Sequence, residues 1–476
     1  MPRGRRLVLA LFAVLALAAC SRSSTPAAGP IVLVVVDTLR ADHLPCYGYA
    51  RPTAPHLCAV ADEGVRFDRA YTVRTCTTPS IASMLTGLPI HRHGVFELLW
   101  ELPASVDTVA TSLRAAGWAT GGFVSSFVMI GELNGFNRGF DVYDDDVRSR
   151  EAHRDNYQRD ARETVDRALA WLRRGGPRSF LFVHLIEPHG PYTPPEPFRA
   201  RFALPPDGRV PPFIPPYQRD PALHSAAEYI GRYDGEIASA DAEIGRLVGA
   251  LREWGWYEGA TLAIVADHGE SMGEENLWFE HGRSLDDAEA RVPLLIKFAG
   301  AGAPRGVVDT PVSGVDVAPT LLVAAGLSPE RPGLAGVDLR AVAQGQPRLA
   351  PPPLTERGGE AGTTVVVHGA DCTTQWQVPA AALADGERFA AMWASGEIAS
   401  VSATGPDAAC ASRLAEGLKP VLADRARFRQ TETPSIHVAM KDLANRTRFI
   451  EGRAAAPPPT LDAAGREAMR QLGYLE

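Results

Sequence analysis

Four short stretches of the chain carry side chains suited to a single reaction centre. Asp37 directly follows the run Ile31 to Val36, and Asp267-His268-Gly269-Glu270 directly follows Thr261 to Ala266. An Asp and a His at a strand end converge readily on one ion, and carboxylate oxygen with imidazole nitrogen suits Zn²⁺ or Mn²⁺ better than Ca²⁺. One divalent metal ion is therefore the expected cofactor. In the third stretch, Thr75 to Gly87, Pro79-Ser80 precedes an apolar-periodic segment that stops at Gly87, the pattern of a helix start and stop. A hydroxyl at that start, on Thr77 or Thr78, would meet unpaired backbone N–H groups and the positive dipole end, which favour an alkoxide and an incoming anionic ester. Taken alone, either threonine reads equally as a helix cap. The fourth set is His91, His93, His189 and His281, more loop imidazoles than a core requires.

The elements that would position these groups are α/β in pattern. Ile31 to Val36, Phe180 to Ile186, Thr261 to Ala266 and Val292 to Phe298 are continuous apolar runs of the kind buried on both faces of a parallel sheet. Helical spacing appears at 106–116, 155–174 and 225–253, where Ile230, Ile237, Ile244 and Leu247 share a face. Strands alternating with helices predict a wound sheet with chemistry beyond the carboxyl ends of its strands, where Asp37, His189 and Asp267-His268 fall. Residues 191–221 are dense in proline and predict an extended loop over the site. A Pro/Gly-rich stretch at 328–353 marks a boundary near 350. Short β-like segments at 363–367, 375–378 and 398–401 and a closing helix then predict a small C-terminal α+β unit. The expected organisation is a leader over 1–19, a tether over 20–30, a main domain over 31–350 and a second unit over 351–476.

Arg3, Arg5 and Arg6 precede a short apolar stretch ending Leu17-Ala18-Ala19-Cys20, which resembles a bacterial lipobox with Cys20 as the lipidated N-terminus. Ser21 points to the outer membrane by the same resemblance. The expectation is an extracytoplasmic lipoprotein, in the periplasm or at the cell surface. Removing residues 1–19, which hold three arginines and no acids, takes the formal charge from −8 to −11 and argues against a nucleic-acid partner. Five cysteines remain after Cys20. In an oxidising compartment at least one stays unpaired, and Cys372 with Cys410 is a candidate bridge.

The motifs VVVDTLRADHLPCYGY, TTPSIASMLTGLPIHRHGV, FVHLIEPHGPYTPPEPF, YDGEIASADAEIGRLV, IVADHGESMGEENLWFEHG and RVPLLIKFAG, in this order, resemble the sulfatase family of the alkaline phosphatase superfamily over nearly all of residues 30–330. Asp442-Leu443 and the ending QLGYLE resemble that family's C-terminal subdomain. The resemblance implies a sheet sandwiched by helices, a metal site at Asp37, Asp267 and His268, and a nucleophile at Thr77 that also faces the metal. It further implies that His189 contacts the sulfate or phosphate group, that His281 donates to the ester oxygen or leaving group, and that His93 supports the site or contacts substrate.

Departures from the family pattern bear on the chemistry. Sulfatases carry Cys or Ser at the nucleophile position, followed by x-Pro-x-Arg, for conversion to formylglycine. Here that position is Thr77, Ile81 replaces the Arg, and Cys76 lies one residue out of register. No formylglycine is expected, and a threonine resembles the phosphodiesterase, phosphonate hydrolase and headgroup transferase branches. Thr38 stands where many sulfatases have a second metal-binding Asp, Asp241 is followed four residues later by Gly245 rather than His, and Glu275-Asn276 replaces a common His-Gly. A mononuclear site held by Asp37, Thr77, Asp267 and His268 is therefore expected. The expected activity is a metal-dependent hydrolase of small-molecule, glycan or lipid esters, phosphate or phosphonate before sulfate. A headgroup transferase and a catalytically silent binding lipoprotein are the alternatives.

Overall fold

The computed structural model describes residues 29–147, 149–150, 157–359, 362–404 and 408–427. Cys20, the leader, most of the tether, Asp442-Leu443 and QLGYLE lie outside the described residues.

The main sheet comprises β1 (Ile31–Val36), β2 (Val65–Tyr71), β3 (Ala119–Val124), β4 (Val142–Asp144), β5 (Ser179–Leu185), β6 (Thr261–Ala266), β7 (Arg291–Lys297), β8 (Gly306–Val308) and β9 (Val312–Ser313). Their order is β8-β2-β7-β6-β1-β5-β3-β4, with β9 also paired to β2. Every side chain of β1, β5 and β6 is buried, as expected for central strands covered on both faces. β1 runs parallel to β5 and β6, and β5 parallel to β3. β7 departs from the expected parallel sheet: it runs antiparallel to both β6 and β2. An apolar run specifies burial on two faces and carries no information about strand direction.

Helices α1 (Pro55–Glu63), α2 (Thr77–Thr86), α3 (Val109–Ala115), α4 (Ala161–Gly175), α5 (Ala226–Glu253) and α6 (Val317–Ala324) pack around this sheet. α4 shows why. The Asp160 carboxylate accepts the Glu163 N–H at 2.7 Å and caps the helix start. Val165, Trp171 and Leu172 then lie on one buried stripe, each contributing about 1.5–3 kcal/mol by removal from water. A Cβ at Gly121 of β3 would sit 2.7 Å from the Trp171 ring, so the strand must be bare there for the helix to close onto it. The proline-dense loop over 191–221 contains one short helix, Phe198–Phe202, which the prolines concealed.

The second unit begins at Leu354. Strands β10 (Leu354–Gly359), β11 (Gly362–His368), β12 (Thr373–Pro379) and β13 (Ser400–Thr404) form an antiparallel sheet in that order, accompanied by α7 (Gly386–Ser395) and α8 (Ala408–Arg427). A Cys372–Cys410 disulfide joins sheet and helix, and a second disulfide links Cys46 to Cys58, leaving Cys76 as a buried free thiol among the described residues. No helix among the described residues is long and apolar enough to cross a membrane.

Polar contacts stitch the two units together. The Glu356 N–H donates to the Val73 carbonyl at 2.9 Å and the Thr355 hydroxyl to the Thr72 carbonyl at 2.6 Å. Within the main domain, just ahead of the second unit, Arg348 grips both oxygens of the fully buried Asp316 at 3.0 Å. Arg348→Ala strands that carboxylate without its counter-charge, and urea unfolding should report a loss of about 3–5 kcal/mol. A loss below 1 kcal/mol would show that the Ser313 and Val337 amides, which also bond Asp316, suffice alone.

Candidate active site

β1 and β6 are neighbours, so the residues that follow them emerge side by side. One ligand atom each from Asp37, Asp267 and His268 falls within 4.8 Å of the others, and all three side chains are buried. His268 Nε2 lies 3.7 Å from Asp37 Oδ1 and 3.5 Å from Asp267 Oδ2. The other Asp267 oxygen, Oδ1, is held by the N–H groups of Thr38 at 3.2 Å and His268 at 2.9 Å, while His268 Nδ1 donates to the Gly269 carbonyl at 3.0 Å. These bonds aim Asp267 Oδ2 and His268 Nε2 into the space beside Asp37.

Both Asp37 oxygens and Asp267 Oδ2 are buried without a hydrogen-bond partner. Burial, reinforced by the Asp267 carboxylate, pushes the Asp37 pKa well above its ordinary value. Burial disfavours a charged His268, but Asp267 and Asp37 outweigh it and raise its pKa. Two crowded buried carboxylates with three orphaned oxygens and one aimed imidazole form a donor set that a divalent cation fits. Thr38 contributes a buried hydroxyl without a partner and stands at φ 55°, a conformation costly for a β-branched residue.

Thr77 is the first residue of α2. Its Oγ1 lies 3.3 Å from His268 Nε2, the same nitrogen that Asp37 Oδ1 approaches at 3.7 Å. The capping position belongs to Cys76, which makes no side-chain cap, and the Thr78 hydroxyl accepts the Leu99 N–H at 3.2 Å. Neither threonine caps the helix. The Thr77 hydroxyl therefore sits among unpaired helical N–H groups, at the positive dipole end, beside the carboxylate pair. Burial pushes the Cys76 thiol far up, so it stays protonated and a poor nucleophile.

His281 packs on His268 with ring centroids 4.4 Å apart, and His189 lies 5.0 Å from His281. The Glu270 carboxylate accepts from His281 Nδ1 at 2.8 Å, from the Tyr192 hydroxyl at 2.8 Å and from Gln218 at 3.2 Å. Burial pushes Glu270 up to about 7. The proline-dense loop thus supplies Tyr192 and Gln218 to the floor beneath His281.

Six expected residues converge here: Asp37, Thr77, His189, Asp267, His268 and His281. His93 does not join them by any bond it makes. Its Nε2 bonds Ser83 at 2.8 Å and its Nδ1 accepts the Val95 N–H at 3.0 Å, so its work is to hold α2. His91 and Arg92 bind Asp424 of α8 and belong to the contact between units. Asp241 accepts the N–H groups of His56 at 3.0 Å and Leu57 at 2.7 Å and so caps α1, while Glu275-Asn276 is an exposed turn. His184, unread in the sequence, lies 3.3 Å from Asp37 Oδ2 and is fully buried in β5. Its one signal was a lone imidazole inside the apolar run FLFVHLI. Glu270 was read only as the end of the Asp267 to Glu270 stretch, with no role of its own, and Tyr192 and Gln218 carried no signal by type or spacing.

A choline-sulfatase of Rhizobium meliloti (strain 1021) is 27% identical over 380 residues, covering 67% of this chain and 72% of the relative. A phosphonate monoester hydrolase from Silicibacter pomeroyi shares the fold with a TM-score of 0.64 at 21% identity, over 85% of this chain and 96% of that one. A protein solved with its substrate D-glucosamine-2-N,6-O-disulfate superposes with a TM-score of 0.65 at 17% identity, over 85% and 100%. The sulfatase family profile itself matches residues 30–327, which takes in the main sheet and every residue of the converging site. The chain therefore belongs to the sulfatase family, within the alkaline phosphatase superfamily, and is a sulfatase-type hydrolase.

Proposed function

We propose that this hydrolase cleaves phosphate or phosphonate esters, ahead of sulfate esters, through a covalent Thr77 intermediate, and that lipid on Cys20 holds it outside the cytoplasm. The observation that carries the mechanism is Thr77 Oγ1 at the unpaired start of α2, 3.3 Å from His268 Nε2 and beside Asp37. A threonine cannot become formylglycine, which separates this site from the sulfatase pattern and favours phosphorus esters. Two disulfides fit an oxidising compartment, which supports the extracytoplasmic reading.

Asp37, Asp267 and His268 would hold one divalent ion, Mn²⁺ or Zn²⁺ before Ca²⁺, which would supply Lewis acidity to the adjacent hydroxyl and positive charge against the bound ester. Thr77, its proton released to solvent, attacks phosphorus; the Oγ–P bond forms as the bond to the leaving oxygen breaks. Burial and His268 hold the His281 pKa well below the ordinary imidazole value, so its protonated form, oriented through Nδ1 by Glu270, arises against the charge of the bound ester and gives its Nε2 proton to that leaving oxygen, while His189 stabilises charge on the transferred group. Water then attacks the phosphothreonine, the P–Oγ bond breaks, His281 recovers its proton from that water, and the Thr77 oxygen takes a proton back from solvent.

The test is a panel of p-nitrophenyl sulfate, p-nitrophenyl phosphate, bis-p-nitrophenyl phosphate and a phosphonate monoester, each with Mn²⁺, Zn²⁺ or Ca²⁺. Turnover of the phosphorus esters, lost to EDTA and restored by one of these ions, is the expected result. Sulfate turnover that survives Thr77→Ala would overturn the assignment and return the nucleophile to Cys76.

A further inference from the structure

Glu289 lies outside the constellation described above, yet it is fully buried and every carboxylate contact it makes runs toward that constellation. Its Oε1 accepts the Ser271 hydroxyl at 2.7 Å. Its Oε2 accepts three consecutive backbone N–H groups, Gly282 at 2.8 Å and Arg283 and Ser284 at 3.2 Å each. Those three residues directly follow His281.

The loop they form needs holding. Phe279 stands at φ 55° and Gly282 at φ 83°, and the aromatic residue pays for that left-handed conformation at about 1–3 kcal/mol. Three successive N–H groups turned to one side make a concave site for an acceptor, and here the acceptor is a side-chain oxygen of the same protein, on a carboxyl whose pKa burial pushes up to about 8. The opposite side of the loop faces the nucleophile's segment, where the Ser284 carbonyl accepts the Thr75 hydroxyl at 3.1 Å.

The backbone around Glu289 grips the other half of the site. The Gly269 N–H donates to the Glu289 carbonyl at 2.8 Å and the Glu270 N–H to the Ala288 carbonyl at 3.1 Å. A Cβ on Gly269 would lie 2.0 Å from the Ala288 oxygen, so this approach requires glycine. Residue 289 thus fixes the segment after His268 through its main chain and the segment after His281 through its carboxylate.

We propose that Glu289 is a positioning residue that sets His281 against the leaving group by clamping the loop 282–284. This rests on the reading of His281 as proton donor. Proton donation matters little to a leaving group as good as p-nitrophenolate and much to a poor one, so loss of position should reveal itself by selectivity.

The experiment compares p-nitrophenyl phosphate with phenyl phosphate in the full metal-loaded protein for Glu289→Gln, His281→Gln and the double variant, with Mn²⁺ affinity measured in each. Glu289→Gln keeps the side chain's size but faces three N–H donors with an amide. Its kcat on phenyl phosphate should fall about tenfold further than on p-nitrophenyl phosphate, with Mn²⁺ affinity unchanged. In the His281→Gln background the same substitution should add no selective loss. Ser271→Ala, which removes one contact to the carboxylate, should shift selectivity the same way more weakly, and it serves if Glu289→Gln does not fold. Equal losses on both esters in Glu289→Gln, beside a selective His281→Gln, would overturn the role of Glu289 alone. A His281→Gln without selectivity would overturn the proton-donor reading and this proposal with it.

Discussion

Thr77→Ala should abolish phosphoester turnover, with kcat falling by about 10⁴-fold or more, while the protein keeps its fold and its metal. The size follows from removing the attacking atom itself rather than a group that assists it. Retention of the fold follows from what the hydroxyl does not do: α2 is capped at Cys76 without a side-chain bond, so no cap is lost, and alanine is a good first-turn residue. Retention of the metal follows because the three aimed donors, Asp37, Asp267 and His268, are untouched. Thr77→Ser keeps the hydroxyl and should stay within about tenfold of the parent rate. Acid-quenching a reaction with labelled substrate checks the chemistry directly, since the parent should carry label on Thr77 and the alanine variant none. An alanine variant with parental turnover would remove Thr77 from the mechanism.

The second large effect is an inversion. Asp37→Asn should make the metal-free protein more stable than its parent and the metal-loaded protein inactive. In the parent, Asp37 and Asp267 confront each other in a buried site with three oxygens unbonded, a repulsion that a bound cation reverses. Replacing one carboxylate by an amide relieves it, a gain on the order of 1–3 kcal/mol in EDTA. The parent should gain about 2.7 kcal/mol from an ion at 100 times its Kd, and the variant should gain almost nothing at that concentration. Thermal melts of both proteins, with EDTA and with Mn²⁺, read all four states. A variant that melts lower in EDTA and still shifts upward with Mn²⁺ would show that Asp37 is not a ligand.

These residues were legible because the sheet advertises its own carboxyl ends. β1 and β6 are continuous, fully buried runs, so the Asp that stops each run is conspicuous, and six motifs in family order fixed the roles of Thr77, His189 and His281 as expectations. Strands with mixed faces were harder. β2 reads VRFDRAY, three of its seven positions only partly buried, and β10 reads LTERGG, so neither resembles a core strand although β10 pairs at full length and β2 pairs on either side of a register shift at Asp68-Arg69. Direction was illegible for β7, because antiparallel and parallel neighbours bury the same side chains. Glu289 was hidden for a different reason. Flanked by alanines in a four-residue helix, it looks like any exposed helical Glu until the chain folds back 282–284 onto it. His93 was read as supporting the site or touching substrate, and a histidine before glycine carries no mark that names its partner on α2, Ser83.

The lock on α2 bears on how an active molecule comes into being. Ser80 donates to the Asp267 carbonyl at 2.8 Å and Ser83 binds His93, so the helix cannot turn by the one residue that would bring Cys76 to the place of Thr77. With Thr77 as nucleophile, the reactive group leaves the ribosome complete and calls for no maturing enzyme in the compartment where the chain folds. Beyond the leader's removal and the lipid proposed on Cys20, disulfide pairing, folding and capture of one ion then complete its biogenesis, so a host lacking any sulfatase-maturing system can still produce the working protein.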